Sequence, residues 1–230
     1  FDLVAIVHGE TSTGVRNPVK EVAALARGRD ALVIVDAVTS LGRVPPDIAA
    51  WQIVAGYSCS QKGLAAPSGL SPIVLAPRAL ERRVSPRSFY FDLSLLEDYW
   101  LRRKYHHTIS APLVYALAAA LAEVLEEGLE ARWARHERAH QALATAIAPM
   151  ALSFLPRVHE RLWSLNAVRV PAGVDDAAVR ACLLQRHGIE IGAGLGPLAG
   201  KIWRIGLMGS GATTVNVEHL THGLSDALHV

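Results

Sequence analysis

The sequence predicts an α/β protein: a mostly parallel sheet followed by a smaller α+β unit. Three observations carry that expectation. Short apolar runs alternate with helical patterns through the first half; Ala31-Leu32-Val33-Ile34-Val35 is continuously apolar, as suits a parallel strand buried on both faces; and two long Ala-rich helical patterns meet at Gly128 before the pattern changes.

Taken in order, Leu3 to Val7 reads as a strand and Val19 to Arg27 as a helix, with Val22, Ala23, Leu25 and Ala26 available for a packed stripe. The run from Ala31 ends at Asp36, and helices are expected on both faces of its sheet. Ile53 to Ser58 and Ser71 to Leu75 are further strands, with a Gly- and Pro-containing loop from Gly63 to Gly69 between them. Leu113 to Glu127 and Leu129 to Ile147 are helices, and Gly128 between them marks a domain junction, with 1–127 as the large domain and 128–230 as the small one. Beyond it, Leu165 to Val170, Ile189 to Ile191 and Trp203 to Leu207 alternate with helices over Asp175 to His187 and Val217 to Leu228.

Composition narrows the function. With 51% hydrophobic and 19% charged residues the chain can bury a sizeable core and lacks the signature of disorder. A net charge of +2 provides no broad basic face for nucleic acid, while leaving room for a local anion site such as a phosphate-bearing small molecule would fill. Cys59 and Cys182 have no metal or disulfide spacing and are expected as reduced thiols of a cytoplasmic protein. The longest apolar run, Ala111 to Leu125, is interrupted by Pro112 and Glu123, so no membrane span is expected. The chain opens at Phe1 without Met or a basic leader and reads as lacking its N-terminal portion.

Two residues suggest chemistry. Asp36 ends a buried-strand pattern, where open α/β sheets place their ligands; the same position suits a turn-capping carboxylate. Lys62, in Ser60-Gln61-Lys62-Gly63, follows a strand directly and enters the Gly/Pro loop; it is either a solvated surface charge or an imine-forming amine. Together they fit pyridoxal phosphate, which needs a lysine for its aldehyde and an acid for its pyridinium nitrogen. Arg204 lies on an apparent strand facing opposite to Trp203 and Ile205, either as a surface ion pair or as a fork for a substrate carboxylate. His106 and His107 precede the long helix, where they can cap and pack its start; adjacent histidines diverge and no carboxylates accompany them, so no metal is assigned. Gly192 to Pro197 lacks the strand-to-helix setting of a nucleotide loop and reads as a flexible loop able to close over substrate.

Five motifs occur in the order found in class V, fold-type I aminotransferases: His8-Gly9-Glu10-Thr11-Ser12-Thr13-Gly14, Val35-Asp36-Ala37-Val38, Ser60-Gln61-Lys62, Tyr105-His106-His107-Thr108 and Arg204-Ile205-Gly206-Leu207-Met208-Gly209. The chain resembles most the alanine-glyoxylate, serine-pyruvate and ureidoglycine-glyoxylate group. That resemblance implies that Lys62 carries pyridoxal 5'-phosphate as a Schiff base and moves the proton, that Asp36 pairs with the ring nitrogen, and that Val38 packs on a ring face. It further implies that Thr11 contacts the ring hydroxyl, that Gln61 lies beside the phosphate, and that Arg204 binds the substrate carboxylate. Tyr105 and Thr108 match residues that reach a neighbouring subunit's phosphate site, which implies a homodimer with shared sites.

The segment that supplies the phosphate cup and the stacking aromatic ring in relatives has no counterpart here, so the chain by itself is expected to bind the cofactor poorly. The resemblance implies transfer from a small donor, alanine or serine, to a 2-oxo acid such as glyoxylate or pyruvate. Pro67-Ser68-Gly69, Phe91-Asp92-Leu93 and Gly200 to Gly206 also resemble the ureidoglycine branch, whereas Tyr105 stands where that branch tends to have Asn. Cysteine desulfurases share the scaffold but typically have His where Gln61 stands. The remaining alternative is a non-catalytic truncated homologue acting as a binding or structural protein.

Overall fold

A computed structural model describes residues 1–45 and 47–228. The chain begins with β1 (Leu3–Val7), a small hairpin of β2 (Gly9–Glu10) and β3 (Val15–Arg16), helix α1 (Val19–Arg27) and β4 (Leu32–Asp36). Then come β5 (Ala55–Tyr57), β6 (Ile73–Leu75), the short helix α2 (Pro77–Glu81) and α3 (Leu93–Arg102). The sheet order is β1-β4-β5-β6; β1, β4 and β5 run parallel, and β6 closes the edge antiparallel to β5. In this register Val7 lies beside Asp36 and Asp36 beside Tyr57, so three consecutive strands end along one carboxyl edge.

Helix α1 buries Val19, Ala23 and Ala26, spaced to share one helical face, against Val33 and Val35 of β4. The expected second covering layer is only partial. Leu32 and Ile34, on the opposite face of β4, open onto a cavity of about 390 Å³ that they share with α2, and Ile73 and Val74 of β6 are exposed. A five-residue helix is too short to cover four strands.

Helices α4 (Ala111–Glu127) and α5 (Leu129–Ile147) are separated by Gly128, whose φ of 79° lies in the region that favours glycine. They differ sharply in burial. Only Val124 of α4 is buried and Tyr115 and Leu125 are well exposed, whereas α5 buries Ala139, Leu143 and Ile147. After α5 the chain forms β7 (Leu165–Arg169), α6 (Asp176–His187), β8 (Gly192–Ala193), β9 (Ile202–Gly206) and α7 (Thr214–Leu228). Asp175 caps α6 by accepting from the backbone N–H groups of Ala177 and Ala178, and Gly188 ends it in the left-handed conformation.

The second sheet, β7-β9-β8, is antiparallel throughout, and Trp203 and Ile205 of β9 join Leu143, Leu183 and Leu224 from α5, α6 and α7 in its core. One expected strand is displaced: the pairing falls on Gly192–Ala193 and not on Ile189 to Ile191, because Ile189 closes the end of α6 through its N–H to Leu183 O. Val44, Leu162 and Leu165 pack between the two sheets, and Ser164 Oγ donates to Thr39 O across them at 3.2 Å.

Candidate active site

Each strand of the parallel sheet delivers a segment to its carboxyl edge. After β1 the chain turns through His8 into the hairpin that carries Thr11; His8 N–H donates to Asp36 O, tying that turn to β4. His8 is buried and edge-on to Trp51, and burial, with Arg16 nearby, lowers its pKa to about 4, so it stays neutral.

Asp36 ends β4 half-buried. Its Oδ1 accepts from Val38 N–H at 2.8 Å and its Oδ2 from the Tyr57 hydroxyl at 3.0 Å. The first bond is a local turn bond that fixes the carboxylate; the second raises the Tyr57 pKa, chiefly through the hydrogen bond itself. The turn-capping expectation for Asp36 is met by Oδ1, and Oδ2 is taken up separately by the Tyr57 hydroxyl. Val38 is half-buried beside it.

The segment after β5 is held by its backbone. Ser60 Oγ donates to Pro67 O at 2.5 Å, Ala66 N–H donates to Ser60 O, and Ala65 N–H to Lys62 O. Gly63 is required: a Cβ there would collide with the Leu41 carbonyl oxygen and lie 2.7 Å from Arg43 Nε. Gln61 is exposed and Lys62 half-buried, and among the described residues the Lys62 ammonium has no hydrogen-bond or ion-pair partner. The loop is tied down by its backbone bonds, and its amine is not part of them.

Arg204 comes from the second sheet. Trp203 and Ile205 on either side of it are buried in the core, so it points to the other face as strand alternation requires. Among the described residues it makes no ion pair: Nε donates to Ala193 O at 2.7 Å, and Nη1 lies 3.5 Å from Thr11 O. Thr11 and Arg204 are thereby brought together from the two sheets. The glycine stretch beside them is not a free lid. Gly192 pairs with Arg204, and a Cβ on Gly194 would collide with the Leu198 carbonyl, so the stretch is folded tightly against β9.

Tyr105 and Thr108 lie on the segment between α3 and α4, and the Tyr105 hydroxyl and Thr108 Oγ1 are 3.0 Å apart. Both are exposed, and among the described residues no hydrogen bond joins them to Lys62 or Asp36. The neighbouring histidines do not cap α4, whose Ser110 makes no side-chain cap. His106 stacks on Phe89 with ring centroids 4.5 Å apart and donates from Nε2 to Phe89 O, which leaves its Nδ1 to accept from His107 Nδ1–H at 2.8 Å.

Sequence reasoning missed Tyr57, which looks like one more apolar residue of a strand and acquires its role only from the β4–β5 register.

The sequence profile of the aminotransferase class-V family matches residues 1–203. The chain belongs to the class-V aminotransferases. Among curated class-V relatives, the (S)-ureidoglycine–glyoxylate transaminase of Bacillus subtilis is 40% identical over 249 aligned positions, covering 98% of this chain and 60% of the relative. The alanine–glyoxylate aminotransferase of Drosophila melanogaster is 38% identical, covering 97% of this chain and 59% of the relative. The chain thus spans about three fifths of the length of these relatives. The crystal structure of an alanine–glyoxylate aminotransferase from Nostoc superimposes with a TM-score of 0.95 at 43% identity, over 99% of this chain and 62% of that one. The fold is the fold-type I aminotransferase arrangement that the class-V motifs imply, with its parallel sheet and its C-terminal antiparallel layer.

Proposed function

We propose that the protein is a pyridoxal-phosphate-dependent aminotransferase that moves an amino group from a small amino acid, alanine or serine, to a 2-oxo acid such as glyoxylate or pyruvate. One observation carries the reading: a partner-free amine, Lys62, and a fixed, half-buried carboxylate, Asp36, stand after adjacent parallel strands on one sheet edge. That pair fits pyridoxal phosphate, which requires an amine for its aldehyde and an acid for its ring nitrogen. Oδ2 of Asp36 has lone-pair capacity beyond the Tyr57 hydroxyl, so it can accept a ring N–H. When bound, the cofactor supplies an electron sink for breaking the bond from substrate Cα to hydrogen.

The remaining work belongs to the chain. Lys62 would hold the cofactor's aldehyde carbon and, once displaced by the donor amine, would take the proton from the substrate Cα and deliver it to that same aldehyde carbon. Asp36, oriented by Val38 N–H, would face the ring nitrogen and favour its protonated form. Val38 would cover a ring face, the Thr11 hydroxyl would serve the ring oxygen, and Gln61 would help to hold the phosphate. Arg204 presents its fork to the substrate carboxylate, braced through Nε on Ala193 O. Tyr105 and Thr108, which touch each other and not this site, serve the phosphate of a second subunit in a homodimer.

The 40% identity to a ureidoglycine–glyoxylate transaminase favours that donor as the second reading. Borohydride reduction of the full-length protein with pyridoxal phosphate, followed by peptide mapping, should place the reduced adduct on Lys62, and donor kinetics then separate alanine, serine and ureidoglycine. An adduct on another lysine, or none, would sink the proposal.

A further inference from the structure

Behind the Lys62 loop lies a carboxylate with three donors on it. Glu127, the last residue of α4, accepts from Arg132 Nη1 at 2.6 Å, from Arg135 Nε at 2.6 Å and from Arg135 Nη2 at 3.0 Å. The far nitrogens of the two arginines go elsewhere. Arg132 Nη2 donates to the carbonyl of Gly63, the residue after Lys62, at 2.7 Å. Arg135 Nη1 donates to Gly209 O at 2.7 Å and to Ala212 O at 3.1 Å, in the turn that follows the Arg204 strand. That turn rests on the lysine loop itself, since a Cβ at Gly209 would stand 3.1 Å from Ala65 Cβ and 3.9 Å from Lys62 O.

Glu127 is poorly placed for helix stability, because a carboxylate at a helix C-terminus opposes the helix dipole. The two guanidiniums offset that cost, and Arg135 does so with both arms of its fork. Arg132 is buried, and Glu127 is the only carboxylate that reaches it among the described residues. Neither arginine can hold its carbonyl in a fixed direction unless its other end is anchored.

We propose that Glu127 is a positioning residue for the transamination proposed above: by anchoring Arg132 and Arg135 together it locks the loop carrying Lys62 to the turn following Arg204, so that the amine and the carboxylate-binding fork keep one spacing. Transamination needs that spacing, since the substrate must present its Cα to the amine while its carboxylate is held. The inference rests on that reading for its purpose, although the clamp itself is a property of the chain alone.

The test uses full-length protein carrying Glu127→Gln, which keeps the shape and removes the charge, and Arg135→Lys, which keeps the charge and removes the fork. Amide exchange is read without pyridoxal phosphate over residues 62–66 and 207–213, with Val33→Ala as a control destabilised in the α1–β4 core, which includes no residue of either segment. Both clamp variants should speed exchange in the two segments together by ~10-fold, which the control should not do. With cofactor and donor, kcat should fall by ~10-fold or more while KM changes less, because alignment and not affinity is lost. Exchange unchanged in either segment, or raised as broadly as in Val33→Ala, would overturn the clamp, as would a variant that melts earlier but turns over normally. If parent protein has no transaminase activity the functional reading fails, while the exchange result still decides the clamp.

Discussion

The Tyr57 hydroxyl donates to Asp36 Oδ2 at 3.0 Å across two parallel strands, so the outward oxygen of the candidate ring-binding carboxylate already has a partner. This bond raises the Tyr57 pKa above 10, since ionising the phenol would lose the donor and set two anions together. In Asp36→Asn the phenol should titrate lower than in the parent, as read by ultraviolet difference titration. The same variant should retain some cofactor but lose most transamination, because an amide cannot stabilise a positive ring. An unmoved phenol titration would show that the bond does not persist in solution.

Lys62→Ala should abolish transamination with little cost to the fold. The loop is shaped by Ser60, Gly63 and backbone bonds, and the ammonium has no partner to lose among the described residues, so stability should change by only about 0.5 kcal/mol. Turnover and thermal melting measured side by side check this. Near-parental turnover would end the assignment.

Arg204→Lys should weaken both amino donor and oxo-acid acceptor by about 2 kcal/mol in kcat/KM, as expected when a charge-assisted pair is lost. Lysine offers a point charge and cannot both brace on Ala193 O and present a fork. The visible absorbance of bound cofactor should scarcely change. Lost cofactor would place Arg204 in the wrong part of the site, and unchanged kinetics would make it structural.

Acidification should destabilise the fold in a defined window. Burial lowers the pKa values of His8 and His136 from 6.5 to about 4, so between those pH values the unfolded chain takes up protons that the native chain refuses. Their contribution is complete above pH 6.5 and is lost as pH falls toward 4, and His140 shifts in the same direction, chiefly through burial. Glu127 follows lower down: hydrogen bonds from Arg135, then Arg132, hold its carboxyl at about 2 against burial, so its stabilisation is lost between pH 4.5 and 2. Melting temperature against pH should show the first decline, and His136→Gln should remove about one proton from its slope. A flat profile from 6.5 to 4 would contradict it.

Much of the fold was legible because it is written in local pattern. The α5 boundaries follow from Gly128 and the run to Ile147, and α6 from Asp175 at one end and Gly188 at the other. The features that were not legible depend on partners distant in sequence. The two-residue strand β8 exists only because β9 lies beside it, and the hairpin of β2 and β3 is too short to show a period. Helix α3 was hidden within a segment where its apolar residues find little cover, and none of them is fully buried. In the candidate site, Asp36 and Lys62 stood out by position at strand ends. Tyr57 and the Glu127 cluster did not, because an ordinary tyrosine and three surface-like charges become distinctive only when register and packing join them.

The contact between Thr11 O and Arg204 Nη1 spans 193 residues of chain. Asp36 and Tyr57 can meet as soon as two neighbouring strands pair, but this junction must wait until the second sheet has emerged from the ribosome and folded. A chain synthesised only as far as the parallel sheet therefore holds Thr11 without the strand that carries Arg204. Slow folding of the antiparallel layer would delay this junction well after the parallel sheet is complete.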